Sequence, residues 1–162
     1  MSNPDLAAVG QSGHVATRLT ECPPLKVAIV EDAENIRERL VQLVSDVGGI
    51  LVIGEADTEE KAIELCRAKN PDAVILDMQL AIGSGLGVLR AMAYSSRDPN
   101  SSSGIHPAII VLTNFPSPAV ERAARALGAE WFLDKSREFH KLPLLLRGLI
   151  ARNVAHATTA PT

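Results

Sequence analysis

The chain has 162 residues and a formal net charge of -3, a length that suits one domain able to bury its own core without disulfide or metal staples. The acidic balance argues against a general nucleic-acid surface, which would carry a basic excess, and no stretch approaches the length of a membrane span. Apolar residues make up 46% and aromatics only 3%, so the core must be aliphatic.

Residues 1–25 mix Ser, Gly, Asn, Thr and Pro without periodicity, and Pro23-Pro24 closes them off, so they read as a mobile tail. The longest early apolar run, Leu6 to Val9, is far short of a signal-peptide core, which leaves a cytoplasmic location as the default. Cys22 in that tail and Cys66 in a helix show no metal-ligand spacing; a tail thiol and a small core-facing residue are expected. The first strand, Lys26 to Val30, ends in Glu31-Asp32. Ile36, Leu40, Leu43, Val44 and Val47 then recur at helical spacing until Gly48-Gly49 ends the helix. Ile50 to Ala56 is the second strand. Thr58 offers an N-cap to a second helix, with Glu59 and Glu60 in the first turn where the helix dipole favours acids, and Asn70-Pro71 is the turn that follows.

Ala73 to Leu76 are four consecutive apolar residues followed by a lone acid, Asp77. A fully buried strand cannot hold an unpaired carboxylate, so Asp77 is expected where the strand leaves the sheet, in a pocket. The segment Gln79 to Gly87 partly imitates a dinucleotide-binding fingerprint, but its third glycine is misplaced and no acid lies about 20 residues on. A flexible connector that turns sharply beside the site is expected instead. Ser95 to Pro107 reads as a surface insertion far from Asp77. The strand Ala108 to Leu112 leads to Thr113-Asn114, and the strand Ala129 to Leu133 leads to Asp134-Lys135. Between them a fourth helix carries Ala119, Val120, Ala123, Ala124 and Leu127 on one arc, opposite Glu121, Arg122 and Arg125. The last helix begins near Phe139, takes Pro143 in its first turn and sets Leu142, Leu145, Leu146 and Leu149 on a stripe from which Leu144 points away. None of His14, His106, His140 and His156 has a convincing ligand partner.

Strands alternating with helices imply an α/β fold with a parallel sheet, and the expected arrangement is the known flavodoxin-like (βα)5 doubly wound sheet of strand order 2-1-3-4-5. Such a sheet puts all its carboxyl ends on one edge, where ligands bind. The candidate site is therefore Glu31, Asp32, Asp77, Thr113 and Lys135. In this order of acid pair, single Asp, Thr and Lys, each at a strand end, the chain closely resembles the receiver domain of two-component response regulators. The resemblance runs from about Lys26 to Val154, giving a receiver domain over 26–154 between the tail at 1–25 and a short tail at 155–162.

Three carboxylates about 5 Å apart repel by roughly 3 kcal/mol per pair at an effective dielectric near 20, so the cluster needs cations. Lys135 supplies one and Mg²⁺, a hard ion that takes carboxylates, waters and phosphate oxygens, is the natural second. Asp32, Asp77 and the backbone carbonyl of Gln79 are the expected direct ligands, with Glu31 one water further out. An aspartate beside such a metal can attack a phosphoryl group to form an acyl phosphate. The resemblance implies a sensor histidine kinase or phosphotransfer protein presenting phosphohistidine, with Asp77 the phosphorylated residue and Lys135 and Thr113 contacting the phosphoryl oxygens. This is self-catalysed phosphotransfer and autodephosphorylation rather than conventional turnover. It also implies that Thr113 and Phe132 form a switch acting on the face of helix 4, strand 5 and helix 5. Each residue has a plainer reading too: Asp32 as a helix cap, Thr113 as a strand residue, Lys135 as a solvated charge, Phe132 as core.

Three departures from the family pattern stand out. Ala81 replaces a usual proline after the phosphorylated Asp, Ser136 replaces one after the Lys, and Asn114 stands where a small residue is common. The run Phe132 to Ser136 is similar in style to receivers that precede helix-turn-helix output domains, yet only 12 residues follow Ile150. Output through a downstream protein partner, or through a weak homodimer on that face, is the expectation, with no direct nucleic-acid or membrane contact. Two alternatives are a degenerate receiver that binds a partner without phosphorylation, supported by Asn114 alone, and a haloacid-dehalogenase-like phosphohydrolase. The latter wants a second Asp two residues after its nucleophile, where this chain has Gln79.

Overall fold

The computed structural model describes residues 23–95 and 106–159. The sequence builds five parallel strands, β1 (Leu25–Val30), β2 (Ile50–Ala56), β3 (Ala73–Leu76), β4 (Ala108–Thr113) and β5 (Ala129–Asp134), in one sheet of order β2-β1-β3-β4-β5. The strands alternate with helices α1 (Glu34–Asp46), α2 (Glu59–Lys69), α3 (Gly85–Ser95) and α4 (Pro118–Ala126). After β5 come a single turn α5 (Lys135–Glu138), a 3-10 turn at Phe139–Lys141 and the long α6 (Leu142–Thr159). This is the doubly wound, flavodoxin-like sheet expected from the alternation of apolar runs and helical periods.

Alternation along each strand splits the core in two. Val27, Ile29, Ile75, Ile110 and Leu112 face one side with Leu40, Val44, Leu142 and Leu146, so α1 and α6 cover that face. Ala28, Val30, Val74, Leu76 and Val111 face the other with Ala62, Val88, Leu89 and Ala124, under α2, α3 and α4. Because β1 and β3 are covered on both faces, every position in them is apolar or aliphatic-stemmed, and polar residues appear only at the strand ends.

The local punctuation follows the chemistry of its residues. Gly48 and Gly49 take φ of 74° and 71° after α1, a left-handed region that costs other residues a steric clash. Thr58 caps α2 by accepting the Lys61 N–H, Ser117 caps α4 by accepting that of Val120, and Asn70 closes α2 at φ 46°. Burial pushes the Cys66 thiol up to about 11, consistent with a core-facing, unreactive residue.

Several expectations need adjustment. Ala119 is exposed, and α4 instead buries Ala124 with Val120 and Leu127 beside it. Ala119 lies off the stripe that Val120, Ala124 and Leu127 form at i, i+4, i+7 spacing. The helix after β5 is broken in two, because the α5 turn must aim Lys135 back at the sheet before α6 can start at Leu142. α6 itself runs on through 155–159, residues expected to be tail, and His156 lies in it. Most of the N-terminal tail, including His14 and Cys22, and residues 96–105 of the expected surface insertion lie outside the described residues. Among the described residues no helix is long and apolar enough to cross a membrane.

Leu146 is fully buried and Leu144 is 71% exposed on the same helix. Leu146→Ala is expected to lower unfolding free energy by about 2–5 kcal/mol. Leu144→Ala should stay within about 0.5 kcal/mol of the parent. Urea denaturation of the two variants measures the contrast, and equal losses would refute the assigned face.

Candidate functional site

Parallel strands bring their C-terminal ends together at the gap between β1 and β3, where the chain reverses its direction of winding. Glu31 and Asp32 follow β1, Asp77 follows β3, Thr113 ends β4 and Lys135 follows β5. The ladder continues one step past the strands: Glu31 N–H donates to the Ala56 carbonyl at 2.9 Å and Asp77 N–H to the Val30 carbonyl at 3.0 Å. Both acidic side chains therefore start from fixed backbone.

Lys135 Nζ donates to Glu31 Oε2 at 2.5 Å and to Asp77 Oδ2 at 2.6 Å. Glu31, Asp77 and Lys135 are 2%, 5% and 8% exposed and Thr113 is fully buried; among the described residues these four are all of the buried polar or charged side chains. Oxygens of Glu31, Asp32 and Asp77 lie within 4.8 Å of one another. Burial drives the Glu31 carboxyl above its usual range, with the Lys135 ammonium opposing that shift and the Asp77 charge adding to it. Formally, three carboxylates (-3) face one ammonium (+1), which leaves -2 at the pocket. A divalent cation matches that charge, and an all-carboxylate, all-oxygen donor set matches a hard ion such as Mg²⁺.

The supporting contacts explain how each side chain is held. The Asp77 carboxylate also accepts the Gln79 N–H through Oδ1 at 3.1 Å. Arg37, in the first turn of α1, donates to the carbonyls of Glu31 at 2.9 Å and Asp32 at 3.4 Å while its Nε pairs with Glu55 on β2, so it straps the acid pair down. Asp32 does not cap α1: the N-cap is Ala33 and no side chain caps it, which removes the plainest structural role for that carboxylate. Asp134 caps α5 by accepting the N–H groups of Ser136 at 2.8 Å and Arg137 at 3.3 Å, and its own N–H donates to Glu138. Hydrogen bonding from the Ser136 hydroxyl first, and from those amides, holds the Asp134 carboxyl below its usual range. Ser136 thus supplies an N–H that a proline could not, and the cap fixes Lys135 at the start of the turn.

Thr113 Oγ1 accepts the Phe115 N–H at 3.3 Å, while Asn114 and Phe115 are exposed. Phe132 packs with the face under α2, α3 and α4, and Trp131 with the opposite face, as alternation along β5 requires. The five candidate residues are brought to one edge, with Gln79 and Phe132 beside them in the chain or the sheet. Missed by sequence reasoning were Arg37, whose strap needs no special spacing, and the packing of the glycines. Gly85 is required because a Cβ there would come within 2.1 Å of the Asp77 carbonyl oxygen, and Gly83 and Gly87 lie hard against Glu59. The segment expected as a flexible connector is thus pinned at its glycines, while Gln79, Ala81 and Ile82 are exposed.

The family model described as the response regulator receiver domain matches residues 27–147. Response regulator UvrY of Escherichia coli is 32% identical over 111 residues, covering 68% of this chain and 47% of that protein. Response regulator GacA of Pseudomonas aeruginosa is 31% identical over 74 residues, 46% of this chain and 35% of that protein. The chain thus spans about half, or less, of the length of these relatives. Among solved structures, the signal receiver domain of the putative response regulator NarL from Mycobacterium tuberculosis superposes with a TM-score of 0.60 at 25% identity, over 85% of this chain and 98% of that one. The signal receiver domain of a putative Luxo repressor protein from Vibrio parahaemolyticus reaches 0.71 at 22% identity, over 86% and 99%, a likeness of fold. With the family model covering most of its length, the chain belongs to the response regulator receiver domain family.

Proposed function

We propose that Asp77 accepts a phosphoryl group from the phosphohistidine of a sensor histidine kinase or phosphotransfer protein. The observation that carries this reading is the buried Asp77 carboxylate, 2.6 Å from the Lys135 ammonium and grouped with Glu31 and Asp32 in a pocket left with net negative charge. An Asp77 oxygen attacks phosphorus, the phosphorus–nitrogen bond breaks, and its electron pair leaves with the imidazole. Lys135 follows the charge onto the phosphoryl oxygens, and the Thr113 hydroxyl donates to one of them while still able to accept from Phe115. A divalent cation held by Asp32, Asp77 and the Gln79 carbonyl, with Glu31 one water further out, would neutralise the remaining oxygen charge. Attack of water on the acyl phosphate resets the domain. A binding module that never takes phosphate would have no use for four buried polar side chains at one edge, which argues against the degenerate reading.

Engagement of Thr113 by the phosphoryl group is proposed to shift Phe132, which packs on the α4 side, and so to bias a contact made by α4, β5 and α6 with a second copy or a downstream protein. Some charges on this face are already committed within the chain: Arg125 pairs with Glu121 at 2.9 Å and Asp134 caps α5. Pairing between copies would therefore be weak, and phosphorylation tips it.

Three outcomes are expected. With acetyl phosphate and Mg²⁺, intact mass should rise by one phosphoryl group; excess chelator or Asp77→Asn should abolish the adduct, and an adduct that survives either would reject the assignment. Asn114→Ala should change the acyl phosphate lifetime with circular dichroism unchanged, since this exposed side chain follows Thr113 and is proposed to flank the path of donor and water. Identical decay and phosphorylation rates would remove Asn114 from the mechanism. Sedimentation with and without beryllofluoride should show a shift toward dimer, and an unchanged monomer would defeat self-association.

A further inference from the structure

We propose that Glu59, at the first turn of α2, is a positioning residue for the acid pocket: it clasps the Gln79–Ser84 loop and through it holds the Asp77 carboxylate. The inference rests on the reading of that pocket as a metal-dependent phosphoacceptor. Glu59 Oε2 accepts the Ser84 N–H at 2.7 Å, and the Glu59 N–H donates to the Ile82 carbonyl at 3.1 Å, so one residue grips the loop as acceptor and as donor. Ser84 forms an antiparallel bridge with Gln79, and the Gln79 N–H donates to Asp77 Oδ1 at 3.1 Å. Three short links therefore run from Glu59, 25 residues before Ser84 in the chain, to the reacting carboxylate.

The loop is shaped around this carboxylate. A Cβ on Gly83, where φ is +84°, would come within 2.3 Å of Glu59 Cβ, and one on Gly87 would come within 2.2 Å of the Glu59 carboxylate atoms. Ser84 adds a second fixed point, its Oγ accepting the Gly87 N–H at 3.1 Å. Glycine at 83 and 87 is thus room made for Glu59 rather than slack in the chain. An anion accepting a backbone N–H makes a stronger bond than a neutral acceptor, so the side chain can hold a loop that carries few apolar anchors of its own. Ile82, at the loop tip, is 69% exposed.

The test compares the full chain with Glu59→Ala and Glu59→Gln. Glutamine keeps a carbonyl that can accept from Ser84, whereas alanine leaves only the backbone donor. Without metal, amide exchange at Ser84 and Gln79 should accelerate in Glu59→Ala. Calorimetric Mg²⁺ affinity should fall about tenfold or more, the usual effect of losing a contact that orients a metal ligand. The Mg²⁺ needed for half-maximal phosphorylation by acetyl phosphate should rise by the same factor while the rate at saturating Mg²⁺ is kept. Glu59→Gln should recover most of both losses. Parent-like Mg²⁺ affinity in Glu59→Ala, or a Glu59→Gln protein no better than Glu59→Ala, would overturn the proposal. A parent chain that binds no Mg²⁺ and takes no phosphoryl group would overturn the phosphoacceptor reading instead, and faster Ser84 exchange in Glu59→Ala would still establish the clasp.

Discussion

One ammonium, that of Lys135, lies between two buried carboxylates, and the rest of the molecule is arranged to make that contact tolerable. Removing ions from water costs several kcal/mol each, and their attraction offsets the cost only when geometry and further hydrogen bonds are good. A hydrophobic core gains nothing from such a group, so burying it at all points to use rather than to stability. The core is aliphatic on both faces of the sheet, and its polar exceptions are confined to one edge. Glu31 and Lys135 are 104 residues apart in sequence, and a parallel sheet is a direct way to deliver both to one place without bending a strand.

The charge balance explains why the pocket has so many supports. With three acids against one base, the carboxylates repel one another, and the Lys135 bridge together with fixed backbone keeps them in place. Arg37 holds the carbonyls of Glu31 and Asp32, Gln79 holds Asp77, and the Asp134 cap holds Lys135. The raised Glu31 carboxyl registers what remains unbalanced: its burial outweighs even a direct contact with the ammonium. A cation entering the pocket would relieve repulsion already present, and a phosphoryl group would restore it elsewhere.

The features legible in the sequence were those set by short-range rules. Runs such as Ala73 to Leu76 can only be strands buried on both faces, and a polar residue after each run has only the sheet edge to occupy, so Asp77, Thr113 and Lys135 could be placed together. Leu142, Leu146 and Leu149 showed their stripe through helical period, and Leu144 its exposure. Features fixed by contacts between distant segments were illegible. Ala119 looks like core by spacing, but the packing of α4 runs its buried stripe through Val120, Ala124 and Leu127 and leaves Ala119 exposed. The glycines around Ser84 look like flexibility, because only the structure shows which side chain fills the space they leave. Ser136 likewise looked like a missing proline until Asp134 was seen to use its N–H.

Alternation along the last strand sets how a charge event could leave the pocket. Trp131 and Phe132 are neighbours in sequence but pack on opposite faces, Trp131 with the core under α1 and α6, where Arg152 lies over its ring, and Phe132 with the core under α2, α3 and α4. Arg152 also pairs with Glu130 at 2.8 Å and 3.1 Å, which ties the Trp131 side of β5 to α6. On the Phe132 side, α4 buries Ala124 and sets Val120 and Leu127 against the same core. A displacement at Thr113, opposite Asp134 in the ladder, would reach β5 before either covering helix. Because packed side chains pass small shifts to their neighbours, such a displacement would be carried through Phe132 to α4, the helix packed on that side of β5.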